Sequence, residues 1–181
     1  MASASPRRRE LLEARGWTLR VEPSDITELE DGALPPRELA LSNAKAKALD
    51  VAGRFPGDCV IGADTIVCLD GRVYGKPRDL EHARAMLTAL SGRVHEVMTG
   101  VCLVRNRQLC GFVDVSWVKF HPLTDEMIFA YFQRVNPLDK AGAYAIQEDQ
   151  GALVAKYEGA LENIIGLPIL RVEAALRQHF L

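Results

Sequence analysis

CVIGADTIVCLDGRVYGKP, residues 59–77, carries the reading of the fold. Its first half is apolar and β-branched, which predicts a buried strand that breaks at Gly62, Ala63 and Asp64. Its second half turns at Asp70-Gly71, a dipeptide suited to a tight hairpin, so two antiparallel strands lie in succession. Asp64 stands out. It closes an apolar run where a buried strand has no use for a charge. Either it is a turn or capping residue, or it aims a carboxylate into a cleft for metal binding or general-base work. Lys76, pinned between Gly75 and Pro77, reads by itself as a solvated lysine.

Upstream, Ser5 as N-cap and Pro6 at the first helical position predict a short helix. Leu11, Leu12 and Ala14 form its apolar side, and Gly16 stops it. Arg7, Arg8 and Arg9 then fill the first turn, the positive end of the helix dipole, where each cation costs about 0.3–1 kcal/mol. A charge-rich surface turn accounts for them. So does an anion held at the helix start by guanidinium forks and by the hydroxyls of Ser3 and Ser5. Residues 18–36 read as a short strand and an acidic loop containing Asp25 and Glu28. Leu39, Ala40, Ala44, Ala48 and Leu49 recur at helical spacing, predicting a helix over residues 38–53 that carries Lys45 and stops at Gly53.

Downstream, Asp79 caps a helix over residues 80–92, and residues 93–123 alternate as two long antiparallel strands about Asn106. Thr124 caps a helix that ends before Asn136-Pro137, residues 151–159 form a further strand, and Pro168 opens a last helix. Strands and helices mix without strict alternation, which predicts one α/β domain over residues 1–181: a mixed sheet with helices on its flanks.

The bulk properties exclude several classes. With 181 residues, 48% hydrophobic and 25% charged, the chain is an ordinary globular domain. A net charge of −2 argues against broad binding to nucleic acid or anionic membrane. No apolar run reaches the length of a membrane span, and the start has no signal-peptide core. Cys59, Cys68, Cys102 and Cys110 show neither C-x-x-C nor zinc spacing, as expected of core cysteines in a reducing cytoplasm. His82, His95, His121 and His179 are scattered, with His95 read as a hydrogen-bonded structural residue. P-loop, G-x-S-x-G and H-E-x-x-H motifs are all missing. What remains is a set of carboxylates for a divalent cation, cations for a polyphosphate and a Ser-Arg helix start. That inventory suits phosphoryl or nucleotidyl chemistry.

ASASPRRRELL (2–12), DITE (25–28), NAKAKA (43–48), GADTIV (62–67), GKPRD (75–79), SGRVHEVMTGV (91–101), DKAGAYAIQ (139–147) and NIIGLP (163–168) resemble, in order and spacing, the Maf family of nucleotide pyrophosphatases. The resemblance implies a fold like that of the inosine triphosphate pyrophosphatases, with an elongated mixed sheet and a cleft between two lobes. It implies hydrolysis of a nucleoside triphosphate to the monophosphate and pyrophosphate with Mg²⁺ or Mn²⁺. Asp64 matches the catalytic base, and Glu28 with Asp64 would hold the metal. Lys45 and Lys76 match the basic residues of the cleft, and Ser3, Arg7 and Arg8 the phosphate grip. Arg7, Thr65 and Gln147 match positions tied to substrate choice. The segment 139–147 resembles the subgroup that prefers dTTP and UTP, although EDQG (148–151) replaces its glycine-rich stretch. Met1 stands where the family has the last residue of an apolar strand, so either the sheet lacks that strand or the true start lies upstream. The rival readings are a pyrophosphatase for 7-methyl-GTP or other modified nucleotides, and a nucleotide-binding regulator of cell division without turnover. The sequence admits a homodimer and calls for no nucleic-acid or membrane partner.

Overall fold

The computed structural model describes residues 1–29 and 32–180, so part of the acidic loop lies outside the described residues. The helices are α1 (Pro6–Glu13), α2 (Pro36–Arg54), α3 (Leu80–Leu90), α4 (Asp125–Phe132), α5 (Ile146–Asp149), α6 (Leu161–Ile165) and α7 (Ile169–His179). The strands are β1 (Val60–Leu69), β2 (Arg72–Tyr74), β3 (Val94–Arg105), β4 (Gln108–Phe120) and β5 (Val154–Glu158). They form one sheet in the order β2-β1-β3-β4-β5.

The α/β class is as expected, but the mixing is of helices with strands. Within the sheet, every neighbouring pair runs antiparallel. Turn chemistry imposes this. Asp70-Gly71 and Asn106-Arg107 all have positive φ, the geometry of two-residue hairpins whose twist matches the flanking strands. Among the described residues, only α3 carries the chain over a strand, from β2 across β1 to β3. With 12 and 13 residues, β3 and β4 are about 40 Å long, which makes the sheet elongated.

Several local expectations need correction. No break occurs at residues 62–64, because β1 is continuous from Val60 to Leu69. Gly62 serves a different purpose: a Cβ there would lie 2.2 Å from the Ala44 carbonyl oxygen, and one at Gly100 would lie 2.3 Å from that of Ala40. These glycines let α2 lie with its backbone almost on β1 and β3, its small residues Ala40, Ala44 and Ala48 fully buried at the contact. Gly53 does not stop α2, which continues to Arg54. Residues 18–21 form no strand, although Met1 donates to the Arg20 carbonyl and Glu22 donates to that of Met1. Asp79 and Thr124 cap α3 and α4 as predicted, accepting from the amides of His82 and Met127.

The two faces of the sheet are covered differently. α2 packs on the face that carries Ile66, Cys68 and Met98. On the other face, one apolar cluster gathers Val67, Val97, Phe120 and Tyr131, and another gathers Ala63, Val101, Leu167 and Val172. Polar side chains lie between them: Thr65, Thr99, Ser116 and Asn163, hydrogen-bonded to one another or to nearby carbonyls. This seam separates the two clusters and reaches Thr65 on β1.

Candidate active site

β2 pairs with β1 only over Val67, Cys68 and Leu69, so the edge of β1 from residue 60 to 66 carries no strand among the described residues. Ala2 N–H caps the Ile61 carbonyl there. Beyond it, the chemistry-bearing groups converge on both faces of β1, because successive residues of a strand point to opposite sides.

On the α2 face lies Asp64, with 7% of its surface exposed. Lys47 Nζ stands 2.7 Å from Asp64 Oδ1 and 2.9 Å from Glu28 Oε1, so one ammonium bridges two carboxylates. Asn43, one helical turn before Lys47, reaches Asp64 Oδ2 at 3.4 Å and ties down the Leu29 backbone through both ends of its amide. Asn43 thus fixes the loop that carries Glu28. Lys45, expected in the cleft, is exposed on another side of α2. Helical spacing decides this: Asn43 and Lys47 share the face marked by Ala40, Ala44 and Ala48, and Lys45 does not. Those buried alanines are the signal in the sequence that Lys47, and not Lys45, lies on the helix face that meets Asp64.

On the other face, Arg8 is buried, and burial pushes its pKa down against the opposing charges of Asp64 and Glu28. Its Nε donates to the Gly166 carbonyl at 2.9 Å, its Nη1 to the Ala63 carbonyl at 2.8 Å and to Ser3 Oγ at 3.0 Å, and its Nη2 to Thr65 Oγ1 at 3.0 Å. Arg7, by contrast, is partly exposed and pairs with Asp139 Oδ2 at 3.2 Å. Asp139 also accepts from Lys140, whose ammonium stands 3.5 Å from Glu148. Gly142 donates to the Gly75 carbonyl beside Lys76, so residues 139–147, Arg7 and the Lys76 turn are joined. Lys76 and Gln147 are exposed. The EDQG segment has its own turn: Asp149, buried, accepts from the amides of Leu153 and Val154, and Gln150 and Gly151 take positive φ. His95 is the structural histidine expected, its Nε2 within 2.8 Å of the Tyr144 hydroxyl.

Among the described residues, no group of three His, Cys, Asp or Glu is gathered to hold a metal. Glu28 and Asp64 nevertheless direct one carboxylate oxygen each at the same point, where Lys47 Nζ now stands. Two hard oxygens suit Mg²⁺ or Mn²⁺, which keep waters and take phosphate oxygens for the rest of their shell. The donor types suit such an ion, which would have to take the place of the Lys47 ammonium between the two carboxylates.

The α/β scaffold thus carries a carboxylate–ammonium–carboxylate centre at an open sheet edge. The chain belongs to the Maf family: the family described as "Maf-like protein" matches residues 1–179. It is 45% identical over 170 residues to the dTTP/UTP pyrophosphatase of Pyrococcus furiosus, covering 94% of this chain and 89% of that protein. It is 46% identical over 180 residues to the dTTP/UTP pyrophosphatase of Carboxydothermus hydrogenoformans, covering 98% and 96%. With the protein of that name from Anaeromyxobacter dehalogenans strain 2CP-C it shares 48% identity over 182 residues, covering 98% and 92%.

Proposed function

We propose that this chain hydrolyses dTTP and UTP to the nucleoside monophosphate and pyrophosphate. The observation that carries the reading is the Asp64–Lys47–Glu28 cluster at the open edge of β1, in a chain whose relatives bear that activity in their names. A triphosphate carries about four negative charges, and attack at its α-phosphorus requires that charge to be balanced as the leaving group departs. Arg7, partly exposed, and Lys76, exposed, receive the phosphates, and Ser3 adds a hydroxyl donor.

In this mechanism Asp64 accepts the proton of the attacking water, and the bond from the α-phosphorus to its bridging oxygen breaks to release pyrophosphate. Lys47 holds the Asp64 carboxylate in place and balances part of the charge of the two acids. Glu28 and Asp64 are the residues that would hold Mg²⁺ or Mn²⁺, which when bound adds positive charge at the phosphates and acidifies water. Gln147 is the amide that meets the base, since a uracil or thymine edge offers carbonyl acceptors on either side of an N–H donor.

The site calls for no nucleic-acid partner, and no helix among the described residues is long and apolar enough to cross a membrane. Activity in the cytoplasm, as a monomer or a homodimer, is consistent with this reading. The test is a panel of nucleoside triphosphates, including CTP and 7-methyl-GTP, scored for pyrophosphate release with and without Mg²⁺ or Mn²⁺. Release from dTTP and UTP well above the others is expected. A preference for 7-methyl-GTP or CTP, or binding without release, refutes it.

A further inference from the structure

The buried guanidinium of Arg8 raises a question that phosphate binding does not answer. Four of its hydrogen bonds end on protein acceptors, from residues 3, 63, 65 and 166. Two of those acceptors belong to the residues on either side of Asp64: the Ala63 carbonyl at the edge of β1 and the Thr65 hydroxyl on the face opposite the Asp64 carboxylate. Little of Arg8 is left for a substrate.

Its effect on Ser3 is more informative. A serine hydroxyl has one proton and two lone pairs. Ser3 Oγ accepts from Arg8 Nη1 at 3.0 Å and from the Ser5 amide at 3.2 Å, which occupies both lone pairs. The Ser3 proton must therefore point elsewhere, and Ser3 is partly exposed. The hydroxyl is fixed as a donor, the polarity that a phosphate oxygen needs.

Thr65 is fixed in the opposite sense. Thr99 Oγ1 gives its proton to the Asn163 carbonyl at 3.0 Å, so between the two threonines Thr65 is the donor. The alternative acceptor, the Gly166 carbonyl at 3.3 Å, also lies inward. Arg8 Nη2 takes up one lone pair of Thr65 Oγ1. Thr65 is thus held within the polar seam as part of the scaffold.

We propose that Arg8 is a positioning residue: it orients the Ser3 hydroxyl as a proton donor to a phosphate of the substrate and clamps the β1 edge around Asp64 through Ala63 and Thr65. The proposal rests on the pyrophosphatase reading for the identity of the anion. The test is a double-mutant cycle of Ser3→Ala and Arg8→Lys, with kcat and KM measured on UTP and each variant's fold checked by its melting temperature. Ser3→Ala is expected to lower kcat/KM by about 10- to 100-fold. In the Arg8→Lys background the same change is expected to cost less than threefold more, because the hydroxyl has already lost its fixed polarity. An equal loss in both backgrounds overturns the proposal.

Thr65→Val gives a second measurement that leaves the buried charge intact, should Arg8→Lys fail to fold. It is expected to lower UTP and CTP turnover by the same factor, as loss of a clamp does. A change of more than threefold in the UTP-to-CTP ratio makes Thr65 a base contact and overturns the proposal. If the wild-type chain releases no pyrophosphate from UTP or dTTP, the functional reading fails separately. The cycle is then scored by the melting-temperature shift with inorganic pyrophosphate, where non-additivity supports the clamp and additivity overturns it.

Discussion

Gly100→Ala tests how the fold sets the site. Gly100 pairs directly with Asp64 across β1 and β3, and an added Cβ would lie 2.3 Å from the Ala40 carbonyl oxygen and 2.7 Å from the Leu41 nitrogen. Both are backbone atoms of a 19-residue helix, so no side chain can swing aside. Restoring ordinary contact requires α2 to lift by about 1 Å, since non-bonded atoms settle near 3.5 Å. Overpacking of this kind costs about 1–3 kcal/mol, or roughly 2–12 °C of melting temperature for a domain of this size. The same lift draws Lys47 and Asn43 away from Asp64, and a 1 Å misplacement of catalytic groups can cost about 100-fold in rate. Thermal unfolding and steady-state UTP hydrolysis measure the two effects together. A Gly100→Ala protein with wild-type melting temperature and turnover refutes the claim that glycine contacts hold α2 over the site.

Asp64→Asn is expected to lower kcat at least 100-fold while the protein still folds, because the amide keeps its shape but cannot take a proton; near-wild-type turnover removes Asp64 from the mechanism. Lys47→Met is expected to lose at least 100-fold in kcat, whereas Lys45→Met stays within threefold, and the reverse order in the same assay restores the lysine expected from the sequence. The last concerns pH. Burial holds the His95 imidazole down to about 4 from its ordinary 6.5, so the unfolded chain takes up the proton first as pH falls. The stability due to neutral His95 is complete above pH 6.5 and is lost progressively between 6.5 and 4, to a total of about 3 kcal/mol. Urea midpoints across that range should fall in wild type and flatten in His95→Phe, and an equal slope in both assigns the loss to other groups.

Much of this was legible from residue patterns alone. Asp70-Gly71 and Asn106 marked both hairpins because two-residue turns demand positive φ, which few residues adopt cheaply. Asp79 and Thr124 marked helix starts because a capping oxygen must sit at one place relative to the first turn. The failures share another cause. Gly62 looked like a break and Gly53 like a stop because glycine signals freedom locally, while its use in β1 is to admit another backbone. That contact is long-range, between Gly62 and residues of α2 that no local window joins to it. The motif also supplies two lysines two residues apart, and only the buried face of the helix shows which of them meets Asp64.

The three arginines at the start of α1 make the same point at one turn of helix. The dipole argument treats Arg7, Arg8 and Arg9 alike, as cations at the wrong end. In the fold their directions differ by about 100° per residue, and each meets a different environment. Arg9 turns outward and pairs with Glu13 one turn later, which offsets its cost at the surface. Arg8 turns inward, where carbonyls and hydroxyls compensate its burial and the charges of Asp64 and Glu28 support it. Arg7 faces the rim and is held by Asp139, a carboxylate from the segment that also carries Gln147. In the proposed function, an incoming phosphate would meet a guanidinium already oriented by that ion pair. One rule of helix electrostatics is broken three times, and each time a different neighbour compensates for it.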